Sequence, residues 1–167
     1  LALARRAATL CRGTERDLEG RLLLVETLDR LSRREAWVGT MESIFQQRLY
    51  RQAGDPAAVA VELAQALTAR LGASREGAEK ALAIWLRLRR EMGGEKAGER
   101  TVAQAAAAAV AGLIDRQGRE IYAETERRAR AALAAAESGD DLERLRAVAE
   151  NYPNSRAARL ATQRLVQ

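Results

Sequence analysis

Between one glycine and the next, this chain repeats one arrangement: leucine, alanine or another apolar residue every three or four positions, with arginine and glutamate between them. That spacing follows the 3.6-residue turn of an α-helix and not the alternation of a strand. Little in the sequence competes with it. The 167 residues include two prolines, twelve glycines that stand mostly at the ends of periodic stretches, and few β-branched or aromatic residues. The pattern therefore predicts an all-α protein of antiparallel helical hairpins, stacked as an α-solenoid or gathered into an irregular helical bundle.

Punctuation divides the chain into an N-terminal helical region of about five helices over residues 1–93, a linker over residues 94–100, and a C-terminal helical region over residues 101–167. The first helix is stopped by Gly13, and Thr14 with Asp17 resembles a capping box opening the second, in which Leu18, Leu22, Val25 and Leu28 share a face. Trp37, Met41, Ile44, Phe45 and Leu49 stripe a third helix, with Gly39 either inside it or marking its start. Asp55-Pro56 opens a fourth, since aspartate caps well and proline at the first helical position gives up no needed N–H. Ser74 opens a fifth, whose stripe is Ala78, Leu82, Trp85, Leu88 and Met92. Glycine and charge leave the linker little to bury. Thr101 and Gln104 form a second capping-box pattern, opening a long helix that Gly118 kinks or breaks.

The last segment has the most recognisable punctuation. Gly139 suits a left-handed helix C-terminal position, and Asp140 or Asp141 can accept the free N–H groups of a new helix. That helix carries Leu142, Leu145, Val148 or Ala149, and Tyr152 on one face; Pro153 ends it, and Asn154 or Ser155 caps another with Ala158, Ala161 and Leu165 inside. This helix, Tyr-Pro-x-Ser-x-x-Ala turn and alanine-faced helix resembles the tetratricopeptide-like repeats of bacterial envelope and scaffold proteins, some of which combine such repeats with β-propeller domains. The matching residues are Tyr152, Pro153, Ser155 and Ala158, with Gly139 and Asp140 at the preceding turn. The resemblance implies a helix-pair packing module without chemistry of its own. The outer apolar residues Leu160, Leu165 and Val166 are expected to want a following helix, and both chain ends read as cut from a longer polypeptide.

The residue inventory limits chemistry. There is no histidine and a single cysteine, Cys11, so the commonest general base, the commonest metal ligand and cysteine-rich zinc sites are all missing. No phosphate-loop or nucleophile-elbow motif occurs. We expect no cofactor, no metal and no catalysis, and read the chain as a scaffold for other proteins or for other segments of its own polypeptide. The formal charge of +5 raises an alternative, a basic subunit that coats nucleic acid with arginine rows. Its candidate contacts are Arg30, Arg33 and Arg34 with Arg87, Arg89 and Arg90. Acid and base alternate along most helices, however, as on a solvated face. No apolar run approaches the ~20 residues of a membrane span, and the compartment, envelope or cytoplasm, is open.

Overall fold

The computed structural model describes residues 1–139 and 141–166, and among these the chain forms nine α-helices. They are α1 (Ala2–Leu10), α2 (Asp17–Arg30), α3 (Arg34–Gln46), α4 (Pro56–Leu71), α5 (Arg75–Met92), α6 (Val102–Gln117), α7 (Ala123–Ser138), α8 (Leu142–Asn151) and α9 (Arg156–Leu165). The fold is all-α, and packing is mainly between sequence neighbours: α1 on α2, α2 on α3, α4 on α5, α5 on α6, and α8 on α9. Short turns oblige such pairs to run antiparallel.

Most helix starts are fixed by the side chains expected to cap them. Asp55 accepts from the Ala58 N–H, Ser74 from Gly77, Asp141 from Arg144 and Ser155 from Ala158. Thr101 and Gln104 make the reciprocal capping box at α6. Thr14 does not. Its hydroxyl donates to the Cys11 carbonyl, while buried Asp17 accepts from the Gly13 N–H and pairs with Arg21 at 3.2 Å; α2 begins at Asp17 without a side-chain cap. Asp17 is better used tying the preceding turn to the helix. Gly39 lies inside α3, which stops at Gln46, because Arg48 adopts a left-handed backbone (φ 56°) and a 3-10 turn, Leu49–Gln52, follows. The break expected near Gly118 is present: its φ of 85° and ψ of 164° separate α6 from a 3-10 turn at Arg119–Tyr122.

The stretch read as a linker is ordered differently from that expectation. Lys96–Ala97 (β1) pairs antiparallel with Arg100–Thr101 (β2), turned through Gly98 at φ 64°, and Ala97 packs against the main core. The hairpin leads α6 back along α5, so the hydrophobic core crosses residues 94–100 without interruption. One core runs from Leu18 to Tyr122 and is centred on Met41, Ile44, Tyr50, Leu67, Trp85, Leu88 and Leu113. A second, smaller core joins α7, α8 and α9 through Ala129, Leu133, Ala136, Leu145, Val148, Ala157 and Ala161. The cores thus divide after Tyr122, where α6 has ended and α7 begins. Leu142, expected on the inner face of α8, is 61 % exposed, and that helix reaches the small core from Leu145 onward.

The turn after α3 is clasped to α5 by one carboxylate. Glu91 accepts from Arg87 Nε at 2.8 Å, Arg48 Nη2 at 2.8 Å and the Tyr50 hydroxyl at 2.9 Å. Burial pushes its pKa upward, but the hydrogen bonds from Arg87, Tyr50 and Arg48 outweigh this and hold it down at about 2, from an ordinary 4.5. A depressed folded-state pKa gives stability that is complete above the unfolded value and is lost as pH falls from there towards 2. Urea unfolding followed by circular dichroism at neutral pH and near pH 3 should therefore show wild type losing about 1–2 kcal/mol more than Glu91→Gln over that interval, after allowance for solvent screening. Equal acid losses in the two proteins would mean that the clasp does not form.

Candidate functional site

The turn that carries the repeat-like signature is assembled as a unit. Tyr152 closes α8 and packs on the small core, Pro153 follows, and Ser155 is fully buried where it caps α9. Ala158, one turn on, is buried with Ala157 and Ala161. The Asn154 side chain donates to the Ala107 carbonyl at 3.1 Å and the Asn154 backbone carbonyl accepts from Arg119 Nη2 at 2.9 Å, which fastens the turn to α6 and the 3-10 turn after it. Glu126 receives the Arg156 N–H at the start of α9, a favourable place for negative charge. Gly139 has φ −104° and ψ 0°, not the left-handed conformation expected for it, and Asp140 lies outside the described residues. On the far side of α9, Leu160 is 50 % and Val166 82 % exposed, while Leu165 leans on the small core.

The six arginines expected to face an anionic partner occupy three separate places. Arg30 pairs with Glu26 on its own helix, Arg33 precedes α3, and Arg34 donates to the Arg70 carbonyl at 3.0 Å. Arg70 in turn pairs with Asp29 and lies over the Trp37 ring, 4.6 Å from its centroid. This corner joins α2, α3 and the end of α4. Helix α3 runs beside α5, with Glu42 3.5 Å from Lys80 and Gln46 in the same recess as Arg87. Arg34 is thus twelve residues, about 18 Å of helix, from the level of Arg87. The two groups form no continuous basic row. Arg87 is occupied by Glu91.

Arg89 and Arg90 are placed otherwise. With Arg128 and Thr125 of α7 and Asn151 and Tyr152 at the end of α8, they line a cleft of about 270 Å³ whose apolar wall is Ala83 and Leu86. Arg89 is half-buried; burial lowers its guanidinium pKa, while Tyr122 and Glu150 pull the other way. Its Nη1 donates to the Ala103 carbonyl at 3.4 Å. Among the described residues neither Arg89 nor Arg90 has a carboxylate within 4.0 Å, whereas Arg128 has Glu124 at 3.0 Å. Sequence patterning points to Arg89 and Arg90 but not to Arg128, Thr125 or Asn151, which come from segments more than thirty residues away.

A second concavity lies on the main core. Gln117 Nε2 donates to the carbonyls of Gly72 and Ala73 at 2.8 and 3.1 Å, which sets the C-terminal ends of α4 and α6 side by side, both antiparallel to α5 behind them. Between them runs an open trough of about 580 Å³. Its walls are short: Val61 and Ala69 on α4, Ala105, Ala108, Ala109 and Gly112 on α6. Trp85 forms the floor, its Nε1–H donating to Thr68 Oγ1 at 2.8 Å. Arg100 on the hairpin and Arg116 on α6 stand on the rim, neither with a carboxylate within 4.0 Å among the described residues, and Glu99 lies beside them.

Among the described residues no helix is long and apolar enough to cross a membrane. No family model, curated protein or solved structure matches the chain significantly.

Proposed function

We propose that the chain is a non-catalytic helical scaffold that binds a protein segment, and that the segment lies in the trough between α4 and α6. The trough itself carries this reading. Alanine and glycine on one wall let a partner backbone come close, so contact is made by shape and by many small dispersion terms rather than by deep pockets. The positions 105, 108, 109 and 112 recur at three- and four-residue intervals and present one continuous face. Arg100 and Arg116 favour a partner with acidic residues flanking its apolar stripe. The tetratricopeptide-like turn from Tyr152 to Ala158 supports the same class of function, since helix-pair modules of that kind serve packing and peptide binding.

The nucleic-acid alternative has less support. More than half of the arginines lie within 4.0 Å of a carboxylate, as Arg75 does with Glu79 and Arg144 with Asp141, and a cation already paired has fewer counterions to displace from phosphate. Mobility-shift assays at low and physiological salt separate the two readings: tight binding that survives physiological salt would reverse the order.

The direct test uses Ala108, an exposed alanine within the trough. Peptides enriched from a random displayed library should share an apolar i, i+3, i+4, i+7 pattern with acidic flanks, and Ala108→Trp should weaken them tenfold or more without lowering thermal stability. Peptides that bind the variant equally well would remove the trough from the reading.

A further inference from the structure

We propose that the cleft between α5, α7 and α8 is a binding site for a phosphomonoester, with Arg89 and Arg90 holding the phosphate. This goes beyond the trough reading and does not depend on it: the cleft lies among α5, α7 and α8, and shares no lining residue with the trough.

Charge balance is the first argument. Many arginines elsewhere are neutralised locally, by Glu91 at Arg87 and Arg48, by Asp17 at Arg21, by Asp29 at Arg70, though among the described residues Arg100 and Arg116 on the trough rim are not. In the cleft Arg128 comes with Glu124, but Arg89 and Arg90 bring two positive charges without a contacting acid among the described residues. Glu150, whose field reaches Arg89, makes no ion pair with it. Holding a half-buried guanidinium without a counter-ion costs free energy, and a ligand anion removes that cost on binding. A phosphomonoester carries between −1.5 and −2 charges near neutrality and so matches a pair of guanidiniums, as a single carboxylate does not.

Geometry is the second. Each guanidinium offers a planar fork of N–H donors suited to tetrahedral oxyanions, and Thr125, Asn151 and Tyr152, residues that carry hydroxyl and amide donors, line the same cleft. A phosphate needs several donors at once for its three terminal oxygens. Ala83 and Leu86 supply an apolar wall for whatever the phosphate is esterified to. About 270 Å³ accommodates a terminal phosphate with a modest substituent; a continuous nucleic-acid backbone would need an open groove.

The test is an NMR titration of the intact chain at low ionic strength with four probes: inorganic phosphate, phenyl phosphate, a short peptide containing phosphoserine, and succinate as a dicarboxylate control. The expected result is saturable shifts of the Arg89 side-chain Nε–H and of the amides of Thr125 and Tyr152, with phenyl phosphate tighter than inorganic phosphate. Arg90→Gln, at an exposed position, should lower the affinity roughly tenfold, the loss of one charge-assisted contact, and Arg89→Gln at least as much. Arg159→Gln, on exposed α9 surface, should change it by less than about twofold. Preference for the peptide would assign the phosphate to a modified protein, and preference for phenyl phosphate to a free ester. Absence of shifts at millimolar probe, equal effects of Arg90→Gln and Arg159→Gln, or succinate binding as tightly as phenyl phosphate would overturn the proposal.

Discussion

Replacing Trp85 by alanine should lower the free energy of unfolding by about 3–5 kcal/mol, the usual range for emptying a buried tryptophan site, and drop Tm by roughly 10 °C or more. Trp85 is fully buried in the middle of α5 and is in contact range of both α4 and α6, which flank that helix. The lost hydrogen bond is the smaller part. Thr68 Oγ1 accepts from the indole but also donates to the Ala64 carbonyl at 2.7 Å, so its hydroxyl stays partnered when the indole is gone. What remains is volume. Surrounding side chains on α4 and α6 are largely alanine, too short to reach into the gap, and relaxation will recover little of the lost contact. Trp85→Phe keeps most of the apolar bulk and should fall between wild type and alanine, with about 1 kcal/mol of its cost from the missing N–H donor. Thermal and urea unfolding followed by circular dichroism would measure both. A loss below about 1 kcal/mol for Trp85→Ala would mean that the three helices do not close over the indole, and the trough above it would lose its floor.

The stripe containing Trp85 was legible in the sequence because a buried helix face needs only periodicity to be seen. Trp37, Met41, Ile44 and Phe45 on α3, and Ala78, Leu82, Trp85, Leu88 and Met92 on α5, are all buried. Caps were legible for the same reason: Asp55, Ser74, Thr101 and Ser155 act on N–H groups three residues away, within one window of sequence. The β-hairpin at residues 96–101 was not. Its composition is that of a linker, and it is held by a core it reaches through Ala97 alone. Thr14 failed as a cap because Asp17 found a better use through the Gly13 N–H and Arg21, a choice set by tertiary burial.

The candidate sites were less legible than the fold. Arg89 and Arg90 carry a faint local signal: the residues three and four positions away on either side, Trp85, Leu86, Arg87, Met92, Gly93 and Gly94, include no acid, so neither has a partner on its own helix. Arg30 with Glu26 and Arg87 with Glu91 do, and grouping all six by proximity in sequence mixed paired cations with unpaired ones. Thr125 and Asn151 carry no signal at all until α7 and α8 are folded, and Tyr152 signals only the turn it closes. The trough likewise reads in sequence only as an alanine-rich run; the concavity exists because α4 and α6 are brought level by Gln117 and the hairpin.

The same substitution, glycine to alanine, should have opposite signs at two helical positions, and the contrast tests how tightly α4 turns into α5. In an unobstructed helix interior alanine gains up to about 1 kcal/mol over glycine, by backbone entropy and helix propensity. Gly39 meets that condition: it lies inside α3, and a Cβ built there has nothing within 4 Å. Gly39→Ala should therefore raise Tm by a few degrees. Gly77 lies in the first turn of α5 under the end of α4. A Cβ there would overlap the Leu71 carbonyl oxygen and stand 2.9 Å from the Leu71 carbonyl carbon and from its Cβ. Those neighbours are backbone and the root of a side chain, so no rotamer change clears them. The turn itself must open, and it is pinned by the Ser74 cap on the Gly77 N–H and by Gln117 on the carbonyls of Gly72 and Ala73. Overpacking of this kind costs about 1–3 kcal/mol or more, which offsets the propensity gain and leaves a net loss of about 1–2 kcal/mol for a clash with backbone, with α6 loosened at its C-terminal end because Gln117 would lose its acceptors. Paired thermal melts of Gly39→Ala and Gly77→Ala read both signs at once, and hydrogen exchange at Gln117 reads the loosening. If Gly77→Ala were as stabilising as Gly39→Ala, the Ser74 turn would have room that this packing denies it, and the level alignment of α4 and α6 that shapes the trough would need another cause.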